Sequence, residues 1–201
     1  NWLAGIINGT TNFILSEMDT KGREFADVLS EAQAKGYAEA DPTFDVEGID
    51  ASHKLAILAS IAFAMPLSLD GLFTDGITQL EPQDVAYARE LGYVIKHLGI
   101  ARQSDAGVEL RVHPTLVPER SLIAGVNDVA NAIMVNADAV GTTLFYGPGA
   151  GAEPTASAVI ADIVDVARVM DSYPDSWVPG LGCNSSAIQP RTIMDIEDVE
   201  T

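Results

Sequence analysis

Gly36-Tyr37-Ala38-Glu39-Ala40-Asp41-Pro42-Thr43-Phe44-Asp45-Val46-Glu47-Gly48-Ile49-Asp50-Ala51-Ser52-His53-Lys54 sets five carboxylates and one lysine in a loop that leads directly into an apolar helix. Each residue has an ordinary reading. Gly36 follows an amphipathic segment and suits a helix C-cap, Asp41-Pro42 suits a turn, and Asp50 with Lys54 has the i,i+4 spacing of a solvated ion pair worth little. The residues that follow argue for more. Nearly every residue from 55 to 67 (LAILASIAFAMPL) is apolar, so the helix bearing Asp50 and Lys54 is expected to be buried nearly all round. Charged groups on its first turns then lie close to a core, where a carboxylate and an ammonium persist only if paired or used. The stretch therefore reads as the edge of a binding or catalytic site.

Upstream, Asn8-Gly9-Thr10-Thr11 reads as a loop entering a short helix that runs to about residue 18, with Thr10 or Thr11 as its N-cap. Phe25, Val28, Leu29 and Ala32 then recur at helical spacing up to Lys35, and Gly36 ends that helix. Downstream, residues 83–98 read as an amphipathic helix with Val85, Ala88, Leu91, Val94, Ile95 and Leu98 inward, weakened by Gly92 by about 1 kcal/mol. His97 then falls near the C-terminus of that helix as a dipole partner without chemistry. Residues 100–103 and 108–112 read as a hairpin that turns at Ser104-Asp105-Ala106-Gly107 and is stopped by His113-Pro114, with His113 structural. Residues 131–135 and 139–146 read as a second hairpin. Antiparallel pairs flanked in sequence by helices imply an α+β architecture: a mixed or antiparallel sheet with helices covering one face and the other face available for dimerisation. Gly147-Pro148-Gly149-Ala150-Gly151-Ala152 lies between a strand and a helix over 154–170, and so imitates the glycine fingerprint of a dinucleotide-binding βαβ unit. No second strand ending in an acidic residue about 20 positions later supports that match. Residues 173–189, rich in Pro, Ser, Gly and Asn, mark a linker, and 191–198 resume strand-like alternation.

A net charge of −18 over 201 residues repels nucleic acid and anionic membranes, so neither is expected as a partner. The single cysteine, Cys183, excludes an intrachain disulfide framework, fits a reducing, cytoplasmic location and offers no metal cluster. No secretory signal is expected, and the apolar run from residue 55 stops at Pro66, short of the roughly 18 to 20 residues that span a bilayer. A site of Asp41, Asp45, Glu47 and Asp50 lacks histidine and cysteine and would hold only a hard, weakly bound ion; no metal is expected.

The pattern G-Y-x-E-x-D-P-x-x-D-x-x-G-x-D-A-x-x-K-L, beginning at Gly36, resembles the substrate-site signature of homoserine dehydrogenase. Gly5-Ile6-Ile7-Asn8-Gly9-Thr10-Thr11-Asn12-Phe13-Ile14-Leu15, Arg111-Val112-His113-Pro114-Thr115 and Phe145-Tyr146-Gly147-Pro148-Gly149-Ala150-Gly151, followed by Pro154-Thr155-Ala156-Ser157-Ala158-Val159, are similar to further segments of that family, so most of residues 4–170 is covered. The resemblance implies interconversion of L-aspartate 4-semialdehyde and L-homoserine in threonine, methionine and isoleucine biosynthesis, with NADP or NAD as cofactor. It implies Lys54 as the catalytic lysine, Glu39, Asp45 and Asp50 at the ammonium and hydroxyl end of the substrate, Thr10 beside it, and Gly36 and Gly151 beside the cofactor. It also implies residues 1–146 as a substrate-binding and dimerisation domain, 147–171 as a glycine loop and helix packing on an upstream nucleotide-binding domain, and 172–201 as a linker and the start of a regulatory domain. A homodimer or larger assembly is expected, and little turnover from this chain alone. Without the resemblance an alternative stands: a non-catalytic dimerisation and regulatory module whose acidic loop only caps helices.

Overall fold

The computed structural model describes residues 1–170 and 188–199. Its centre is a strand that periodicity alone does not single out, β1 (Trp2–Ile6), which is flanked antiparallel on both sides, by β3 (Tyr93–Gln103) and by β5 (Ala130–Ala137). With β2 (Phe73–Thr74), β4 (Val108–Pro118) and β6 (Gly141–Pro148) the sheet has the order β2-β4-β3-β1-β5-β6. Only the β2–β4 pair is parallel, so the sheet is mixed and the fold is α+β. The two hairpins expected from alternation are present, the first with longer arms; the second turns after Ala137 and resumes at Gly141, two residues later than expected.

Among the described residues six helices accompany the sheet: α1 (Gly9–Lys21), α2 (Phe25–Ala34), the single turn α3 (Thr43–Val46), α4 (Ile49–Phe63), α5 (Pro82–Glu90) and α6 (Ala152–Met170). The N-cap of α1 is Asn8, two or three residues earlier than expected: its side chain accepts from Thr11 N, while the Thr11 hydroxyl donates back to Asn8 O. Helix α2 ends as expected at Gly36, whose φ of +75° is the left-handed conformation that closes helices.

Helix α4 lies on the sheet because both surfaces are cut down to let it. Its inward residues include Ala51, Ser52, Ala56, Ala59 and Ser60, and below it Gly5 and Gly99 are cross-strand partners. A Cβ on Gly99 would stand 3.4 Å from Leu55 Cδ1. Leu55 and Phe63 consequently share one core with Leu3, Ala101, Leu110 and Val112. A second core joins Phe13, Ile14 and Met18 of α1 to Val28 and Ala32 of α2, Val85 and Ala88 of α5, and Ile95.

Three expectations are corrected. Helix α4 is not buried all round: Ile57 and Ile61 are 47% and 49% exposed, on the same side as Lys54. The apolar sequence recorded a helix that packs on the sheet by one face and presents a second apolar stripe outward. The expected helix over 83–98 is two elements. A capping box of Glu81 and Asp84 with Pro82 starts α5, Gly92 at φ +80° reverses the chain, and Val94, Ile95, His97 and Leu98 lie in β3. Residues 94–99 are buried whichever face they occupy, which erased the period-two signal that separates a strand from a buried helix. Nor does His113-Pro114 end β4, which continues to Pro118; β2 pairs only Arg111 and Val112, leaving β4 an edge strand beyond them, where proline is tolerated.

Helices α1 and α4 cover the sheet face that holds Leu3 and Ala101. The opposite face is closed at one end by a 3-10 turn (Leu122–Gly125), whose Ile123 and Ala124 pack on Ile6, Val94, Leu98 and Val117. Towards the other end it presents half-buried Trp2, Ala4, Ile100 and Met134. The expected linker lies mostly outside the described residues. The strand expected over 191–198 is reduced to one bridge from Ile193 to Val108 followed by a 3-10 turn (Ile196–Asp198), and Gln189 N and Arg191 Nη2 donate to Ala64 O and Phe63 O at the end of α4. Among the described residues no helix is long and apolar enough to cross a membrane.

Leu55→Ala tests the seating of α4. Leu55 is fully buried, so truncation is expected to cost about 2–5 kcal/mol in urea denaturation. A loss under about 1 kcal/mol would mean that the helix does not rest on the Gly5–Gly99 hollow.

Candidate functional site

A cavity of about 720 Å³ opens where β1 turns into α1. One wall is the acid loop and the start of α4; the other is formed by Val129, Asn131 and the glycine loop after β6. Thr10, Gly36, Glu39, Asp45, Asp50, Lys54 and Gly151, the residues singled out from sequence, all line it. They come from four separate parts of the chain.

The hub is a residue that sequence reading did not single out. Asn8 Oδ1 accepts from Thr11 N at 2.9 Å, while its Nδ2 donates to Asp45 Oδ1 at 2.7 Å and to Asp50 Oδ2 at 2.9 Å. Lys54 Nζ donates to the same Asp50 oxygen at 2.6 Å and to Ile7 O at 3.1 Å. Two carboxylates are thus held together by a neutral amide and one ammonium, which offsets the repulsion between them. The Lys54 side chain is 47% exposed and Asp50 21% exposed. A pair so placed adds little to stability, and its ammonium keeps one side towards the cavity.

The remaining residues form the rim. The Glu39 carboxylate makes no hydrogen bond or ion pair among the described residues; its backbone carbonyl accepts from Gln33 Nε2. Thr10 Oγ1 donates to Tyr37 O at 2.6 Å, so its proton holds the loop and only its lone pairs remain for a ligand. Tyr37 stacks edge-on against Phe13 at 5.2 Å. At Gly36 a Cβ would meet nothing within 4 Å, leaving the rim open at that point. Gly149 passes so close to Asn131 that a Cβ there would displace the Asn131 amide. Lys35 Nζ also borders the cavity, paired with Glu31 at 2.6 Å and lying over the Phe13 ring.

The four carboxylates weighed as an ion site do not converge. Asp41 is held below its ordinary pKa by the Thr43 hydroxyl and by Thr43 N, which it caps; Asp45 takes Asn8, Glu47 takes Thr78 and Asp50 takes Asn8 and Lys54. Among the described residues no group of three or more His, Cys, Asp or Glu side chains is placed to hold a metal. Asn8 had a legible signal as a capping residue ahead of Gly-Thr-Thr, but partners 37 and 42 positions away cannot be read from it. Asn131 carried no signal.

The family model for homoserine dehydrogenase matches residues 1–164. This chain belongs to the homoserine dehydrogenase family. It is 65% identical over 201 residues to the homoserine dehydrogenase of Pseudomonas aeruginosa, all of this chain and 46% of that protein. The crystal structure of a homoserine dehydrogenase from Thiobacillus denitrificans superposes with a TM-score of 0.94 at 60% identity, covering 98% of this chain and 46% of that one. A hyperthermophilic archaeal homoserine dehydrogenase, solved in complex with NADPH, gives a TM-score of 0.69 at 25% identity over 84% of this chain and 47% of its own. The chain therefore spans about half the length of the homoserine dehydrogenases it matches.

Two substitutions separate the roles of Asn8. Asn8→Ala removes the cap and both bridging bonds and is expected to cost about 1–2 kcal/mol in chemical denaturation. Asn8→Asp keeps the cap but faces Asp45 and Asp50 with a third carboxylate, which raises carboxyl pKa values in the folded state. Its deficit relative to the wild type should therefore be small near pH 4 and grow as pH rises. A pH-independent deficit would show that the three side chains do not meet.

Proposed function

We propose that the chain is the substrate-binding part of an NAD(P)-dependent homoserine dehydrogenase, interconverting L-aspartate 4-semialdehyde and L-homoserine for threonine, methionine and isoleucine biosynthesis. What carries this reading is the meeting of Lys54, Asp50, Asp45 and Glu39 in one cavity of a family member. The substrate offers an ammonium, a carboxylate and a carbonyl or hydroxyl. Glu39, unpartnered on the rim, and Asp45 attract the ammonium. Asp50 holds Lys54 and helps to orient the substrate hydroxyl. Lys54, fixed by Asp50 and Ile7 O, presents its ammonium to the reacting oxygen, stabilises negative charge that develops there during reduction, and delivers the proton. In oxidation the proton returns by the same path. Thr10 and Tyr37 stand on the rim beside these residues.

The nicotinamide cofactor, NADP or NAD, supplies or accepts the hydride. The open rim at Gly36 and the side-chain-free turn at Gly149 and Gly151 suit a flat ring approaching the cavity, and these residues would flank it. Residues 1–146 then serve as substrate and dimerisation domain, 147–171 as the connection to a nucleotide-binding domain, and 172–201 as a linker towards a regulatory one. Helix α6 supports that division, since Val159, Ile160, Ile163 and Val166 are all exposed. The open end of the sheet face, around Trp2, Ile100 and Met134, is the surface for a homodimer. A cytoplasmic location goes with this metabolism.

In the full-length enzyme, Lys54→Ala is expected to lower kcat by roughly 10²- to 10⁴-fold with cofactor binding retained. Unchanged kcat would remove Lys54 from the chemistry. Glu39→Gln should instead raise KM for homoserine with little change in KM for the cofactor; an unaltered KM would support the helix-capping alternative.

A further inference from the structure

The acid loop rests on a floor. Gly76 passes so close beneath it that a Cβ there would stand 2.7 Å from Glu47 Cα, and Ile77 N donates to Val46 O at 2.8 Å. Thr78 Oγ1 donates to Glu47 Oε1 at 3.1 Å. Ser52 Oγ donates to Gly48 O at 2.8 Å and, its proton being used, takes a second bond from Thr74 Oγ1 at 2.6 Å. Under Gly48 itself lies the ring of His97, a side chain that is 3% exposed. A Cβ on Gly48 would stand 3.1 Å from His97 Cε1 and 3.2 Å from Nε2, and Gly48 has a φ of +79°. His97 Nε2 donates to Asp75 O at 2.9 Å, and Asp75 N donates to Val112 O.

This imidazole therefore ties β3 to the segment after β2 and supports the turn from which α4 starts. Its Nδ1 is buried without a partner. An aliphatic side chain would fill the same space without leaving a nitrogen unsatisfied, so filling alone does not account for a histidine here. Burial pushes its pKa down, which keeps the ring neutral beneath the Gly48 turn.

We propose that His97 is a positioning residue: by wedging its ring beneath Gly48 while bonded to Asp75 O, it fixes the start of α4 and so the placement of Asp50 and Lys54 relative to Asp45. The inference rests on the catalytic reading of Lys54 given above. Asp45 and Asp50 stand on either side of the Gly48 turn, so a shift of that turn changes the gap that Asn8 has to span.

The test uses the full-length enzyme. His97→Leu fills the space without the donor, and His97→Gln carries an amide nitrogen able to reach Asp75 O. His97→Leu is expected to lower kcat about tenfold or more, because small displacements of reacting groups are costly, with KM for the cofactor unchanged and His97→Gln within about threefold of wild type. Deuterium uptake of the peptide covering residues 45–54 reads the same support without turnover: it should rise in His97→Leu and not in His97→Gln. Wild-type kcat and uptake in folded His97→Leu, or equal impairment of both variants, overturns the proposal. Should His97→Leu fail to fold, Gly48→Ala alone and combined with His97→Ala decides: the added methyl should raise loop uptake less once the ring is gone, and additive effects overturn the proposal. A wild-type enzyme inert towards homoserine would instead defeat the catalytic reading, leaving the exchange data to judge His97.

Discussion

The side chain of Asn8 bonds at both ends, its oxygen to the first turn of α1 and its nitrogen to Asp45 and Asp50 together. Those two carboxylates belong to different segments, one to the turn α3 and one to α4, and left facing each other they would repel. The amide lets them share a wall, and Lys54 completes the balance of charge from the next turn of α4. Placement of the amide depends on β1, because Asn8 follows the central strand by two residues and inherits its position from the ladders on both sides. The most constrained strand of the sheet thus aims the residue on which the cavity depends.

A second constraint comes from below. The seat of α4 is set by Leu55 against the side-chain-free backbone of Gly99, and its start by the floor of Gly76, Thr78 and His97. The last carbonyls of α4 are met by Gln189 and Arg191. Both ends of the helix are therefore held by distant parts of the chain, while its lysine stays half in solvent. Rigid support beneath a partly open charged group is what proton transfer to a small substrate asks of a scaffold.

Much of this was legible in the sequence, for physical reasons. The acid-rich stretch carries polar groups at fixed offsets, and those offsets are what place Asp50 and Lys54 one helical turn apart on the cavity side. The hairpin at 104–107 announced itself through alternation of Val108, Leu110 and Val112, all buried on one face. Legibility failed where burial is two-sided. Val94, Ile95 and Leu98 fit a helix as well as a strand, and only the left-handed Gly92 separates the cases. It failed again for β1, which is short, and for long-range polar contacts such as Asn8 with Asp50, where capping chemistry is visible but the partner is not. The exposed stripe of Ile57 and Ile61 was misread because apolarity reports what a side chain avoids, not which surface covers it.

The most direct measurement is a crystal structure of the full-length protein with homoserine and the oxidised nicotinamide cofactor bound. The account predicts the substrate hydroxyl within hydrogen-bond distance of Lys54 Nζ, and its ammonium against Glu39 and Asp45, with Asn8 still bridging Asp45 and Asp50. Homoserine bound away from this cavity, with Lys54 still tied only to Asp50 and Ile7 O, would contradict it.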